Sequence, residues 1–206
     1  MEQEPIKILG ITGPSGCGKD TAARWLAEQY PSKFQYIKLH TTRPQRNEED
    51  DGYIFCDPGD FLKQVLNGNM LNAQEFRGWY YGLSKGALYR AYINVLPMNN
   101  EMIQQMLEEN RNDYDLKILF IDTDDKQRLM HILQRETNPD CHEVCRRFLS
   151  DEIDYGEVLK EQCEYSIINR YTPEFFFTLS RNAAACFEVD KDNIASFEGK
   201  TVKCWK

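Results

Sequence analysis

Three observations along the chain predict an α/β fold with a mainly parallel sheet. The short apolar runs Ile6–Thr12 and 116–121 have the length and β-branched content of buried strands. Apolar residues at helical spacing follow each run, in 18–30 and 126–135. The join between the first strand and the first helix is rich in glycine. Parallel strands need crossover helices, so this alternation places helices on both faces of the sheet.

The remaining elements follow in order. Residues 34–39 alternate loosely and predict a second strand, while 43–60 are polar, charged and rich in Gly and Pro, a surface excursion. Phe61, Leu62, Val65 and Leu66 predict a helix over 61–71. A strand over 92–96 stops at Pro97, and a helix over 101–107 carries Met102, Ile103 and Met106 on one face. A longer helix spans 143–160, and Tyr165–Ile168 is the last core strand. The stretch 171–206 holds Phe175, Phe176, Phe177, Phe187, Phe197 and Trp205 without a period, so it receives no element and is placed at the domain edge.

A length of 206 residues suits one domain, and 41% hydrophobic with 28% charged residues is ordinary for a globular chain. The formal net charge of −8 argues against nucleic acid as a partner, because that role needs a basic surface. No apolar run reaches the roughly 20 residues of a membrane helix. Residues 1–5 are acidic and lack a signal-peptide pattern, and seven cysteines without paired spacing read as reduced thiols. The expectation is a cytoplasmic protein, a monomer or homodimer, without a membrane partner.

Gly13, Pro14, Ser15, Gly16, Cys17, Gly18 and Lys19 fit G-x-x-x-x-G-K between a strand and a helix. Glycines let backbone N–H groups curl around phosphate oxygens, the helix N-terminus adds positive potential, and Lys19 brings a cation to the β- and γ-phosphates. A three-layer P-loop NTPase fold with ATP and Mg²⁺ as cofactors follows. The usual Ser or Thr after the lysine is Asp20, followed by Thr21. Asp20 is expected to bind Mg²⁺, directly or through water, and Thr21 can reach the α-phosphate.

Arg43 and Arg46 flank Pro44 three residues apart. Two guanidinium forks with a nearby tyrosine can hold a monophosphate dianion. From spacing alone they read equally as solvated surface arginines.

GPSGCGKD, TTRPQR, then Glu49, Gly52, Tyr53 and Phe55, and Tyr80-Tyr81-Gly82 together resemble the guanylate kinase family. So do Gln134-Arg135-Glu136, Arg146-Arg147-Phe148 and Tyr165-Ser166-Ile167-Ile168-Asn169, over residues 6 to 170. The resemblance implies a single domain with a core (5–38, 92–134, 150–170), an acceptor-binding insertion (39–91), a small helical lid (135–149) and an unassigned extension (171–206). It implies that Arg43, Arg46, Tyr53 and Tyr81 hold the acceptor phosphate. Arg135 with Arg147 or Arg146 would close over ATP, and Asn169 would lie near the adenine. Where the family reads guanine, this chain has Leu39 for a serine, Asn72 for a glutamate and Leu83 for a serine or threonine.

The expected activity is therefore transfer of the γ-phosphoryl group of ATP to a (deoxy)nucleoside monophosphate other than GMP. The alternatives are a sugar-phosphate kinase of the ribose bisphosphate type, or an inactive guanylate kinase-like interaction module. The intact loop disfavours the module. An NTPase switch gives Arg43 and Arg46 no task.

Cys141, His142 and Cys145 have one-turn spacing but no evident fourth ligand unless Cys163 lies near, so they read as ordinary helix residues. Cys17 reads as a small loop residue. His40 and His131 read as structural, because transfer to a phosphate needs no general base. Residues 122–125 read as a helix cap.

Overall fold

The computed structural model describes residues 4–45, 48, 50–76, 78–108, 113–134 and 139–189. In chain order, the first half comprises β1 (Ile6–Thr12), α1 (Lys19–Gln29), β2 (Phe34–Tyr36), β3 (Leu39–Thr41), β4 (Tyr53–Phe55), α2 (Pro58–Leu66), β5 (Met70–Phe76) and β6 (Trp79–Ser84). The second half comprises β7 (Ile93–Pro97), α3 (Asn100–Glu108), β8 (Tyr114–Asp122), α4 (Asp125–Gln134), α5 (Cys141–Asp154), α6 (Glu157–Glu161), β9 (Tyr165–Ile168) and α7 (Pro173–Ala185).

β2, β7, β1, β8 and β9 form a wholly parallel sheet in that order. Its side chains alternate as the strand period requires. Leu9, Ile11, Val95, Leu119 and Ile121 bury one face against Leu26 of α1 and Phe176 and Leu179 of α7. Ile8, Ile118 and Phe120 bury the other against Met102 and Ile103 of α3 and Leu159 of α6. The predicted three-layer α/β fold is the observed one.

A second sheet, ordered β4-β3-β6-β5, stands beside the first. β3 runs parallel to β4 and antiparallel to β6, and β5 pairs antiparallel with β6. Leu39, Leu71 and Leu83 root it in the same apolar cluster as Met98 and Met102.

Several expectations change. The helix predicted over 61–71 is α2, which begins at an Asp57 cap that accepts from the Gly59 N–H, and ends at Leu66. Gly68 has φ 68° and turns the chain into β5, so 70–71 are strand. The excursion of 43–60 contains β4. The helix expected over 143–160 breaks at Tyr155–Gly156 into α5 and α6.

The tail gives α7, which lies on the sheet face rather than at an edge, with the Phe176 ring 4.7 Å from that of Trp25. Positions 190–206, with Phe197 and Trp205, lie outside the described residues. No described helix is long and apolar enough to cross a membrane.

Candidate active site

The turn from β1 to α1 is held through its carbonyls, both from within and by residues after β9. Cys17 N–H donates to the Pro14 carbonyl at 3.2 Å and Lys19 Nζ to the same oxygen at 3.4 Å. Asn169 Nδ2 donates to the Cys17 carbonyl at 2.9 Å, and Tyr171 Oη to that of Gly16. The first-turn N–H groups of Lys19, Asp20 and Thr21 have no partner within the helix, and all three residues line the cleft. Gly13, at φ 145°, could not carry a Cβ without striking the Ile121 carbonyl. Gly16, at φ 82°, would strike the Arg128 carbonyl at 2.6 Å.

A cleft of about 660 Å³ opens from this loop toward the second sheet. Ser15, Gly16, Gly18, Lys19, Asp20 and Thr21 line its floor. Arg43, Tyr53 and Tyr81 line the opposite wall. Thr41 Oγ1 donates to the Tyr80 carbonyl at 3.0 Å and accepts the Arg43 N–H at 3.1 Å, which fixes the turn after β3. The Arg43 guanidinium is 5% exposed and donates to the Pro44 carbonyl at 2.8 Å and to Asp50 at 2.9 Å. It lies 5.3 Å from the Tyr53 ring centre and 5.4 Å from that of Phe55. Burial and then the charge of Asp20, which lines the same cleft, raise the Tyr53 phenol well above its usual value.

α5 closes the third side. Its N-cap, Asp140, accepts from His142 and Glu143 N–H groups. Glu143 accepts from Arg146 Nε and from Arg147 Nε, each at 2.6 Å, and Arg147 lines the cleft. Asp151 of the same helix lines it too, against Ser15. Arg46, Glu49 and Arg135 lie outside the described residues.

The wall beyond Arg43 is apolar and amide-lined. Leu39, Met98 and Met102 share it with Gln74 and Asn99, and Phe76 and Trp79 add aromatic surface. Asn99 Oδ1 accepts the Met102 N–H at 2.9 Å, which fixes its polarity, and Gln74 Nε2 donates to the same oxygen at 2.7 Å. Gln74 is therefore left with a buried carbonyl oxygen that has no partner among the described residues.

A family model described as guanylate kinase matches residues 6–169. This chain belongs to the guanylate kinase family. It is 27% identical over 182 residues to the guanylate kinase of Thermosynechococcus vestitus, covering 84% of this chain and 95% of that protein. An 81-residue stretch is 41% identical to the guanylate kinase of Chlamydia felis, covering 38% of this chain and 40% of that one. The crystal structure of guanylate kinase from Anaplasma phagocytophilum superposes with a TM-score of 0.63 at 20% identity, over 98% of this chain and all of that chain, a likeness of fold. As a guanylate kinase family member, the chain is an ATP-dependent phosphotransferase of the nucleoside-monophosphate kinase type.

Against the family resemblance, the positions sort unevenly. Leu39 lines the cleft, but Leu83 is fully buried and Asn72 is 2% exposed, its amide donating to Gln105 at 2.6 Å. Neither of these two lines the cleft; Gln74 and Asn99 stand there instead. Gln74 lies two residues from Asn72 on the same strand face, a period-two signal that was readable once β5 was known.

Asn169 is fully buried and spends its amide on the Cys17 carbonyl and the Tyr171 N–H, so it supports the loop from below rather than offering its side chain to an adenine. Cys17 is fully buried, and burial raises its thiol pKa. His131, expected to be structural, lines the cleft and stacks on Tyr171 at 3.8 Å. The Asp124 side chain accepts from the Gln127 N–H, which makes 122–125 the cap of α4. Cys141 and Cys145 are exposed, and the described residues contain no cluster of three metal-ligating side chains.

Proposed function

We propose that this kinase phosphorylates a (deoxy)nucleoside monophosphate whose base is not guanine. The observation that carries this reading is the wall formed by Leu39, Gln74, Met98, Asn99 and Met102. Guanine presents two adjacent donors, N1–H and the 2-amino group, which suit a carboxylate. Among the described residues the cleft's carboxylates, Asp20, Asp50 and Asp151, stand instead with the phosphate loop and Arg43. An unmet polar edge typically costs about 1–3 kcal/mol. The aromatic surface of Phe76, Trp79 and Tyr81 favours a ring over a bare sugar phosphate.

In this reading the loop N–H groups and Lys19 hold the triphosphate, Arg43 and Arg46 with Tyr53 and Tyr81 hold the acceptor phosphate, and Arg147, Arg146 and Arg135 close over the transferring group. Asp20 fits Mg²⁺ as a single carboxylate beside phosphates, the way that ion is usually held. The bound ion would neutralise charge between the two nucleotides, while the side chains position and screen them.

The test is ADP release with Mg·ATP and each ribo- and deoxynucleoside monophosphate, plus ribose phosphates. Another base should exceed GMP in kcat/KM by about tenfold or more, the equivalent of one polar mismatch. Preference for GMP would refute the base assignment.

A further inference from the structure

α5 touches the phosphate loop through one carboxylate. Asp151 accepts the Ser15 backbone N–H at 2.8 Å and the Ser15 hydroxyl at 3.2 Å. It is 2% exposed, and Arg128 Nη1 holds it at 3.2 Å. Arg128 is itself buried, donates through Nε to Asp125 at 2.9 Å, and lies 3.7 Å over the Phe148 ring of α5. Its own carbonyl backs Gly16. One carboxylate thus ties the loop, α4 and α5 together.

A negative charge beside a phosphate site is unfavourable unless neutralised, and Arg128 neutralises it. A buried ion pair is a poor source of stability compared with apolar side chains of the same volume. Its position offers another reason. Arg147 precedes Asp151 by four residues, so both project from one face of α5, and both line the cleft.

We propose that Asp151, held by Arg128, is a positioning residue for phosphoryl transfer, anchoring α5 to Ser15 so that Arg147 meets the nucleotide at a set distance from the loop. This rests on the reading of Arg147 as the lid cation.

A double-mutant cycle in kcat, at saturating acceptor and ATP, tests it. Asp151→Leu with Arg128→Met removes the pair without stranding a buried charge, and Asp151→Asn keeps an acceptor for Ser15. Arg147→Ala should lower kcat about 100-fold, the Leu/Met pair about tenfold or more with acceptor KM little changed, and Asp151→Asn should recover most of that loss.

Added to Arg147→Ala, the Leu/Met pair should cost less than about a further twofold, because its effect runs through the same guanidinium. Fully multiplicative losses, or wild-type kcat in the Leu/Met variant, overturn the proposal. Unchanged kcat in Arg147→Ala overturns both it and the lid assignment, while leaving the acceptor panel unaffected.

Discussion

The buried Arg43 and the half-buried Asp50 form an ion pair, Nη2 to Oδ2 at 2.9 Å, in the wall that faces the phosphate loop. Asp50 orients the guanidinium and also competes with an incoming phosphate for its donors. Arg43→Ala should therefore raise the acceptor KM about 10- to 100-fold, the loss of one charge-assisted contact. Asp50→Asn keeps an acceptor but removes the charge, and should lower that KM about two- to fivefold. Initial-rate kinetics over a range of acceptor concentrations reads both.

Glu143 predicts a pH signature. Hydrogen bonds from Arg146 and then Arg147 pull its carboxyl down to about 2 from the usual 4.5. A depressed carboxylate contributes stability above its unfolded value and loses it as pH falls through its folded one. The Tm difference between wild type and Glu143→Gln should be largest above pH 5 and shrink from 4.5 toward 2. Solvent screening keeps the corresponding free-energy difference under about 1 kcal/mol.

Asn169→Ala should separate the two substrates. It leaves the buried Cys17 carbonyl without its donor, a cost of about 1–3 kcal/mol. Because that carbonyl belongs to the phosphate loop, the KM for ATP should rise more than the acceptor's, and Mg·ATP should protect less in a thermal melt.

Phe176→Ala tests whether α7 belongs to the core. The ring is 1% exposed and packs on Trp25, so its removal should cost about 3–5 kcal/mol in urea unfolding. A terminal appendage would lose far less.

The parallel sheet and the phosphate loop were legible because their signals are local. The runs at Ile6–Thr12 and 116–121 are mainly apolar, interrupted only by Lys7 and Lys117 near their starts, and buried along their later residues, and Gly13 to Lys19 need only short-range geometry. The hairpin of β5 and β6 was not. Its strands carry Asn72, Gln74 and Glu75 among the apolar residues, which spoils the alternation, and the two positions between the paired Phe76 and Trp79 read Arg-Gly rather than the Asn-Gly or Asp-Gly that announces a hairpin.

Missing that hairpin misplaced the base wall: Asn72 and Gln74 share one face of β5, but Gln74 reaches Asn99 at the cleft while Asn72 lies one pair farther along, against Gln105. α7 was illegible for another reason. Phe175, Phe176 and Leu179 cover the underside of the sheet at helical spacing, but Phe177, 38% exposed, blurs the stripe. The Arg128–Asp151 pair joins residues 23 apart, and nothing in either local sequence announces the other.

The exposed thiols of Cys141 and Cys145 sit on the first turns of α5, the helix that carries Arg147, whereas Cys17 is fully enclosed beneath the loop. Among the described cysteines these two are the exposed ones, so with Cys204 replaced a thiol-reactive fluorophore would decorate that helix while sparing the nucleotide floor. Its emission would follow the helix through each turnover, a built-in spectroscopic handle that needs no engineered cysteine.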